Sequence, residues 1–234
     1  VTKVVRWVFT HKETAMTTRE PSRNTDATPD RHVALEQYRA RAQQYDHELR
    51  PFEPLRTEAI GRLQLQAGEV VIDVGCGTGL SFAPLLERLG PKGRIVAIEQ
   101  CPEMMARARE RLATLSGHSV TLVQAPVEDA QWKGRADAAL FHFTHDILRR
   151  PAALDNVLRH LKPGARVVAT GLQWAAPWAW PVNLFVMGAA AYSVSSLSGL
   201  DKPWSELAVR LDRFEVHPTW MGSVFMGTGL YRAA

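Results

Sequence analysis

Val70-Val71-Ile72-Asp73-Val74-Gly75-Cys76-Gly77-Thr78-Gly79 decides the reading of this 234-residue chain. Val70 to Val74 form the branched apolar run of a short buried strand, which leads into glycines at alternate positions. From about Leu80 the period changes. Phe82, Leu85, Leu86 and Leu89 recur at helical spacing and predict a helix with one apolar face. Strand, glycine-rich turn and helix together open a nucleotide-binding α/β unit. Glycine suits the turn because, with no Cβ, its backbone can bend sharply and come close to a ligand.

The details of the turn select the ligand. A dinucleotide fingerprint runs G-x-G-x-x-G and aims a helix N-terminus at a pyrophosphate. Here the spacing is G-x-G-x-G, position 80 is Leu, and the absence of a following Gly-Lys-Ser/Thr excludes a P-loop. Asp73 lies two residues before the first glycine. A carboxylate there repels a pyrophosphate and suits a cation, such as a ligand bearing an ammonium and a sulfonium. The alternative is a tight strand-to-helix turn without a ligand. The stretch resembles motif I of the class I S-adenosylmethionine (SAM)-dependent methyltransferases, in particular the small-molecule type of the ubiquinone and menaquinone methyltransferases. The resemblance implies a Rossmann-like, doubly wound, seven-stranded sheet, mostly parallel with an antiparallel last strand. It implies SAM as cofactor, held by Asp73, Gly75, Cys76, Gly77 and Gly79.

Composition sets the limits. At 46% hydrophobic and 22% charged residues, the chain suits one globular domain of ordinary size. A net charge of +4 and a pI near 9.3 permit attraction to anionic surfaces but fall far short of a nucleic-acid-binding signature. The two cysteines, Cys76 and Cys101, do not make a disulfide framework, and no Cys/His cluster has zinc-ligand spacing. No metal is expected, and the expected location is the cytoplasm.

Residues 1–9 are too short and too charged for a signal peptide or membrane span, and 17–29, rich in Thr, Ser, Asn, Asp and Pro, read as disordered. Residues 1–29 are therefore expected to be an extension of a domain that covers 30–234. Met16 is the expected natural start, with 1–15 as upstream sequence; N-terminal sequencing of native protein that begins at Val1 overturns this. Asp30 is a candidate N-cap for a helix over His32–Leu49, and a second helix is expected from about Glu53 to Gln64 with Leu55, Ala59, Ile60 and Leu63 on one face. Residues 30–66 resemble the family's N-terminal lid, which implies that Tyr38 and Tyr45 close over the methyl-donor end of the site. An amphipathic helix with its tyrosines packed on the body is the alternative.

After the glycine turn come a strand at Arg94–Glu99, a helix from about Gln100–Cys101–Pro102 to Leu115, and a third strand at Val120–Gln124. Glu99 ends its strand about twenty residues past the turn, where an acid can accept both hydroxyls of a ribose. By resemblance, Gln100 belongs to the same site and Met104 packs near adenine; Cys101, where the family usually has Ser, reads as a small residue tolerated in a turn. Pro126 stands where the family usually places an acid, which leaves the Val127 N–H and Glu128 as adenine contacts; capping a helix N-terminus is the alternative for Glu128.

The fourth strand, Ala136–Phe141, ends in His142-Phe143-Thr144-His145-Asp146. Ligand chemistry sits at the carboxyl ends of strands in such sheets. His142 and His145 are thus candidate general bases, with a structural or substrate-orienting hydrogen bonder as the alternative. His142 is also a candidate cofactor contact. A helix from Pro151 to about Leu161 follows, then a Lys162–Ala165 turn and a fifth strand at Arg166–Thr170. Val167 to Leu200 holds no Asp, Glu, Lys or Arg, but contains Trp174, Trp178, Trp180 and Tyr192. Prolines and serines break it as a span. It reads as an insertion at about 172–202 with a helix near Val182–Ser193 over the acceptor, Trp174 and Tyr192 contacting it. Core packing and a membrane-surface patch are the alternatives. A helix from Lys202 to about Leu211 and a hairpin of Phe214–Trp220 with Ser223–Tyr231 complete the chain.

The resemblance implies methyl transfer to a small, apolar or aromatic acceptor. It shows no Asp/Asn-Pro-Pro-aromatic motif of nucleic-acid amino methylation, so no nucleic-acid partner is expected. A phospholipid amino headgroup or a quinone, methylated at the membrane surface with peripheral membrane contact, is the second reading. A SAM-binding regulatory protein is the third, suggested by Pro126.

Overall fold

The computed structural model describes residues 46, 49–115, 119–193, 197 and 199–232, without the side chains of 191–193. The expectations for residues 1–29, for Met16, and for most of the His32–Leu49 helix, including Tyr38 and Tyr45, lie outside the described residues.

The strand predicted over Val70–Val74 is β1, and it lies in the middle of a seven-stranded sheet. It pairs in parallel with β2 (Arg94–Glu99) on one side and β4 (Ala136–His142) on the other. Outward from β2 lies β3 (Ser119–Gln124); outward from β4 lie β5 (Leu161–Leu172), β7 (Val224–Tyr231) and β6 (Leu211–Thr219), giving the order β3-β2-β1-β4-β5-β7-β6. β7 runs antiparallel to both its neighbours, and the rest of the sheet is parallel. This is the Rossmann-like, mostly parallel seven-stranded architecture with a reversed strand near one edge. The chain crosses from β3 over to β4 next to β1, so the strand order reverses between β1 and β4. Crevices form at such switch points.

Helices cover both faces, which explains why the central strands are apolar throughout instead of alternating. One face carries Val71, Ile95, Ala97, Ala138 and Leu140 under Ala59 and Ile60 of α1 (Glu53–Arg62) and Phe82, Leu85, Leu86 and Leu89 of α2 (Phe82–Leu89). The other carries Ile72, Val74, Ile98 and Phe141. α3 (Pro102–Ala113) follows β2, and α4 (His145–Leu148) and α5 (Pro151–Leu158) follow β4. α6 (Trp180–Ser193) follows β5, and α7 (Ser205–Ala208) precedes β6. Among the described residues, no helix is long and apolar enough to cross a membrane.

Alternation of side chains along each strand puts three polar residues on one face of the sheet. Asp73 follows Val71, Glu99 follows Ala97, and His142 follows Leu140, each at the carboxyl end of an otherwise apolar column. Three adjacent strands, β2, β1 and β4, therefore present a carboxylate, a carboxylate and an imidazole to the same crevice.

Several boundaries differ from the sequence reading. The helix expected near Leu80 begins at Phe82, because Gly79 and Thr78 are still turning. The Lys162–Ala165 turn lies inside β5: Leu161 already pairs with Ala136, and the register slips there, with Gly164 at φ 79°. The helix expected from Lys202 to Leu211 covers only Ser205–Ala208, and β6 starts at Leu211. The hairpin turns through Trp220–Gly222 as expected.

Candidate functional site

The crevice beside β1 is one cleft with two lobes that meet at Gly75, Gly77, His142 and Phe143. The larger lobe is lined by Ile98, Glu99, Gln100, Met104, Val127 and Glu128. The smaller is lined by Arg56, Asp73, Cys76, Thr78 and Ser81. Of the residues singled out from the sequence, Asp73, Gly75, Cys76, Gly77, Glu99, Gln100, Met104, Val127, Glu128 and His142 all line the cleft.

Gly75 and Gly77 both take left-handed backbone, at φ 67° and 56°. A Cβ on Gly75 would lie 2.8 Å from Thr144 Cγ2 and 2.9 Å from Ile147 Cδ1, so only glycine lets the loop after β4 close against this turn. The turn is tied to its neighbour strand as the Cys76 N–H donates to the Ile98 carbonyl at 2.9 Å. Glu99 fixes the turn from the other side. Its carboxylate accepts the Gly77 N–H at 3.0 Å and the Cys101 N–H at 2.7 Å. The two oxygens offer about four acceptor sites, so capacity remains beyond the backbone donors. Burial pushes the Glu99 carboxyl above its usual range, and these backbone donors oppose the shift.

Asp73 is 2% exposed, and its Oδ2 has no hydrogen-bond partner. Burial pushes its carboxyl up to about 7; the Arg56 guanidinium opposes that and Glu99 adds to it. A buried acceptor without a donor is costly unless a ligand supplies one. Arg56 is the residue that the sequence reading missed. It projects from α1, is 4% exposed, and donates to Ser81 Oγ at 3.1 Å and to Glu53 at 3.2 Å. The signal was in the spacing. Phe52, Arg56, Ala59, Ile60 and Leu63 make one helical stripe, and Arg56 is its single charged member.

His142 sits where the lobes meet, with Nδ1 unpartnered. Burial and the nearby Arg56 charge hold its pKa well below the usual imidazole value, so the ring is neutral. His145 is a different case. It is 4% exposed, does not line the cleft, and its Nε2 lies 2.9 Å from the Leu172 carbonyl, where it pins the end of β5. Burial brings its pKa down to about 4. Gly79 also stays outside the cleft; at φ 79° it makes room for the Phe82 ring, which a Cβ would meet at 2.5 Å. Trp174, half-buried, packs against the cluster of Leu55, Leu172, Val186, Leu200 and Val224. The side chain of Tyr192 lies outside the described residues.

Glu128 reaches the cleft but is paired with Arg150 at 2.9 Å, and the turn that carries it is fixed by Asn156 Nδ2, which donates to the Val127 and Ala130 carbonyls. Phe143, next to His142, has φ 57°. A bulky side chain there stores roughly 1–3 kcal/mol of strain, a pattern that clusters at functional sites. Asp46 contributes from the N-terminal side. It accepts from Thr78 Oγ1 and from Arg111, whose Nε also holds the Thr78 carbonyl at 2.9 Å. The segment upstream of α1 is thereby tied to the glycine turn.

Known proteins are similar to parts of this chain. Residues 71–164 match the model of the methyltransferase domain family. The protein-L-isoaspartate O-methyltransferase of Ignicoccus hospitalis is 38% identical over 108 residues, 45% of this chain and 48% of that protein. The demethylmenaquinone methyltransferase of Oceanobacillus iheyensis is 26% identical over 115 residues, 48% of each. The chain spans less than half the length of these curated relatives. Among solved structures, the N-methyltransferase NodS from Bradyrhizobium japonicum in complex with S-adenosyl-L-homocysteine has the same fold, with a TM-score of 0.59 and 15% identity over 86% of this chain and 99% of that one. Residues 71–164 are thus similar to the methyltransferase domain family, and the chain has the fold of a solved SAM-dependent methyltransferase relative.

Proposed function

We propose that this protein transfers a methyl group from SAM to a small-molecule acceptor of apolar or aromatic character. The observation that carries the reading is the polarity of the cleft: Asp73, buried and with one oxygen unpartnered, lies beside Arg56 at one end, and Glu99 lies across the glycine turn at the other. That arrangement fits SAM. Asp73 and Arg56 match the ammonium and carboxylate of its amino-acid end. Glu99 keeps acceptor capacity for two ribose hydroxyls. Ile98, Met104 and Val127 offer apolar contact for adenine, and Gln100 and Glu128 polar contact.

When bound, SAM supplies an already activated methyl group, so the protein's part is mainly alignment and exclusion of water. Gly75 and Gly77 bring backbone close to the bound molecule, and the Gly75–Thr144 contact sets the gap between the turn and the loop after β4. His142, neutral and with Nδ1 free, accepts a hydrogen bond from the acceptor and takes its proton where the acceptor atom carries one. His145 has a positioning role through Leu172. A lipid-like acceptor, such as a quinone or a phospholipid amino headgroup, is the second reading. The exposed Trp178, Trp180, Phe185 and Met221 favour it.

Calorimetric titration with S-adenosylhomocysteine tests the proposal. Binding is expected, with Asp73→Ala and Glu99→Ala each losing at least tenfold in affinity. No binding to the unaltered protein refutes the function; unchanged affinity in both variants refutes the site. Labelled SAM incubated with metabolite and lipid extracts then identifies the acceptor.

A further inference from the structure

Beside the cleft, at the same end of the sheet, lies an open groove of about 610 Å³. Pro181, Val182 and Phe185 of α6 form one wall, and Trp220, Met221 and Ser223 of the β6–β7 turn form the other. The volume is that of an organic ligand site. Of its two polar side chains, the Ser223 hydroxyl already donates to the Trp220 carbonyl at 2.7 Å, which leaves the Trp220 indole N–H. The groove has little with which to orient a polar head, and its lining suits a flexible apolar chain.

Three observations connect this groove to the cleft. Trp220 stacks on Phe52 with ring centroids 5.3 Å apart, Phe52 meets Phe143 at 5.5 Å, and Phe143 meets His142 at 4.9 Å. This aromatic wall runs from the groove to the residues where the two lobes of the cleft join. Both ends of the wall are held in left-handed backbone: Phe143 at φ 57°, and Trp220 and Met221 at 49° and 55°. Strain of this kind clusters at ligand clamps, and the largely exposed Met221 adds no packing to the core. Finally, α6 buries Val186 and Ala190 yet leaves Phe185 47% exposed and Leu184 54% exposed, and Met221 opposite is 82% exposed. Apolar surface left out of the core beside a cleft marks a place where apolar ligand surface is covered.

We propose that the α6–turn groove is the subsite for the unbranched apolar chain of an amphiphilic acceptor, whose reacting head lies against Phe143 and His142. The acceptor class is therefore a chain-bearing molecule bound one at a time, with Val182, Phe185 and Met221 as its specificity residues. The inference rests on the proposed SAM-dependent activity, which places the reacting head in the cleft.

The test uses 4-alkylphenols, from butyl to octyl, titrated calorimetrically into the whole protein saturated with S-adenosylhomocysteine. Each added methylene is expected to tighten binding by up to about fourfold as it leaves water. That increment should vanish in Phe185→Asp and in Met221→Asp, while affinity for S-adenosylhomocysteine stays unchanged. Met221 is largely and Phe185 about half solvent-facing, and neither belongs to a core cluster; circular dichroism and a melting curve check that the aspartates leave the fold intact. Chain-length dependence that is absent, or that survives in both variants, overturns the subsite while methyl transfer stands. Failure of S-adenosylhomocysteine to bind removes both. Co-sedimentation with phosphatidylcholine vesicles that depends on Phe185 and Met221, with no chain-length effect, overturns the subsite in favour of a bilayer contact.

Discussion

Asp73→Asn should separate the binding role of this carboxylate from its cost to the fold. In the empty protein its pKa is about 7. A ligand ammonium needs the ionised form, so affinity scales with the ionised fraction. That fraction is about one half at pH 7 and about 1% at pH 5, so binding of S-adenosylhomocysteine should weaken roughly fiftyfold over that interval. The ligand's own ammonium stays charged there, because an α-amino group titrates near 7.7 or above. Calorimetry at pH 5, 6 and 7 reads the slope, and repeating it in buffers of different ionisation enthalpy counts the proton released. The Asn variant should bind more weakly at pH 7 and lose most of the pH slope. Stability should move the opposite way. Because folding raises this pKa, Asp73's contribution is most favourable below the unfolded value of about 3.8 and is lost as pH rises through about 7. The penalty for holding the group ionised is on the order of 4 kcal/mol. The Asn variant should therefore melt higher than the unaltered protein at pH 8, and gain less at pH 5. An unaltered protein whose affinity is flat between pH 5 and 7, or an Asn variant with the same slope, refutes the reasoning.

Arg56→Met removes the charge that opposes the Asp73 shift, so the midpoint of the affinity profile should move to higher pH, read in the same titrations. Gly75→Ala combines left-handed backbone with a Cβ 2.8 Å from Thr144 Cγ2, and should cost about 2–4 kcal/mol in denaturant unfolding. Adding Thr144→Ser, which removes that methyl, should restore part of the loss. Met221→Gly relieves φ 55° at an exposed site and should raise stability by about 1 kcal/mol, a rise of roughly 2–4 °C in melting temperature, while weakening alkylphenol binding.

The parts of the fold that the sequence made legible are those where one local pattern has one solution. Val70–Gly79 could only be a strand entering a tight turn, and Phe82, Leu85, Leu86 and Leu89 all face the core as their spacing required. Glu99 was legible because its distance from the glycines fixes it at the end of the next strand. Arg56 was not, because a lone arginine on an apolar helix face has meaning only when Asp73 and Ser81 are seen beside it. The two histidines lie three positions apart yet are not equivalent: His142 continues the inward column of β4, whereas His145 begins α4 and turns under β5. Trp174 was ambiguous for a related reason. A charge-free stretch shows that something apolar is nearby, but not whether that is core or ligand.

β7 is the one reversed strand, and its direction divides the chain's labour. Because it runs against β5 and β6, the chain comes back to the reactive end of the sheet after the fifth strand twice, once as α6 and once as the Trp220–Gly222 turn. Neither visit falls within residues 71–164, which hold most of the cleft. Most of the proposed donor site and the proposed acceptor groove are thus encoded in consecutive pieces of sequence. Grafting a different 173–223 segment onto the same 71–164 frame is a direct route to a different acceptor with the same donor.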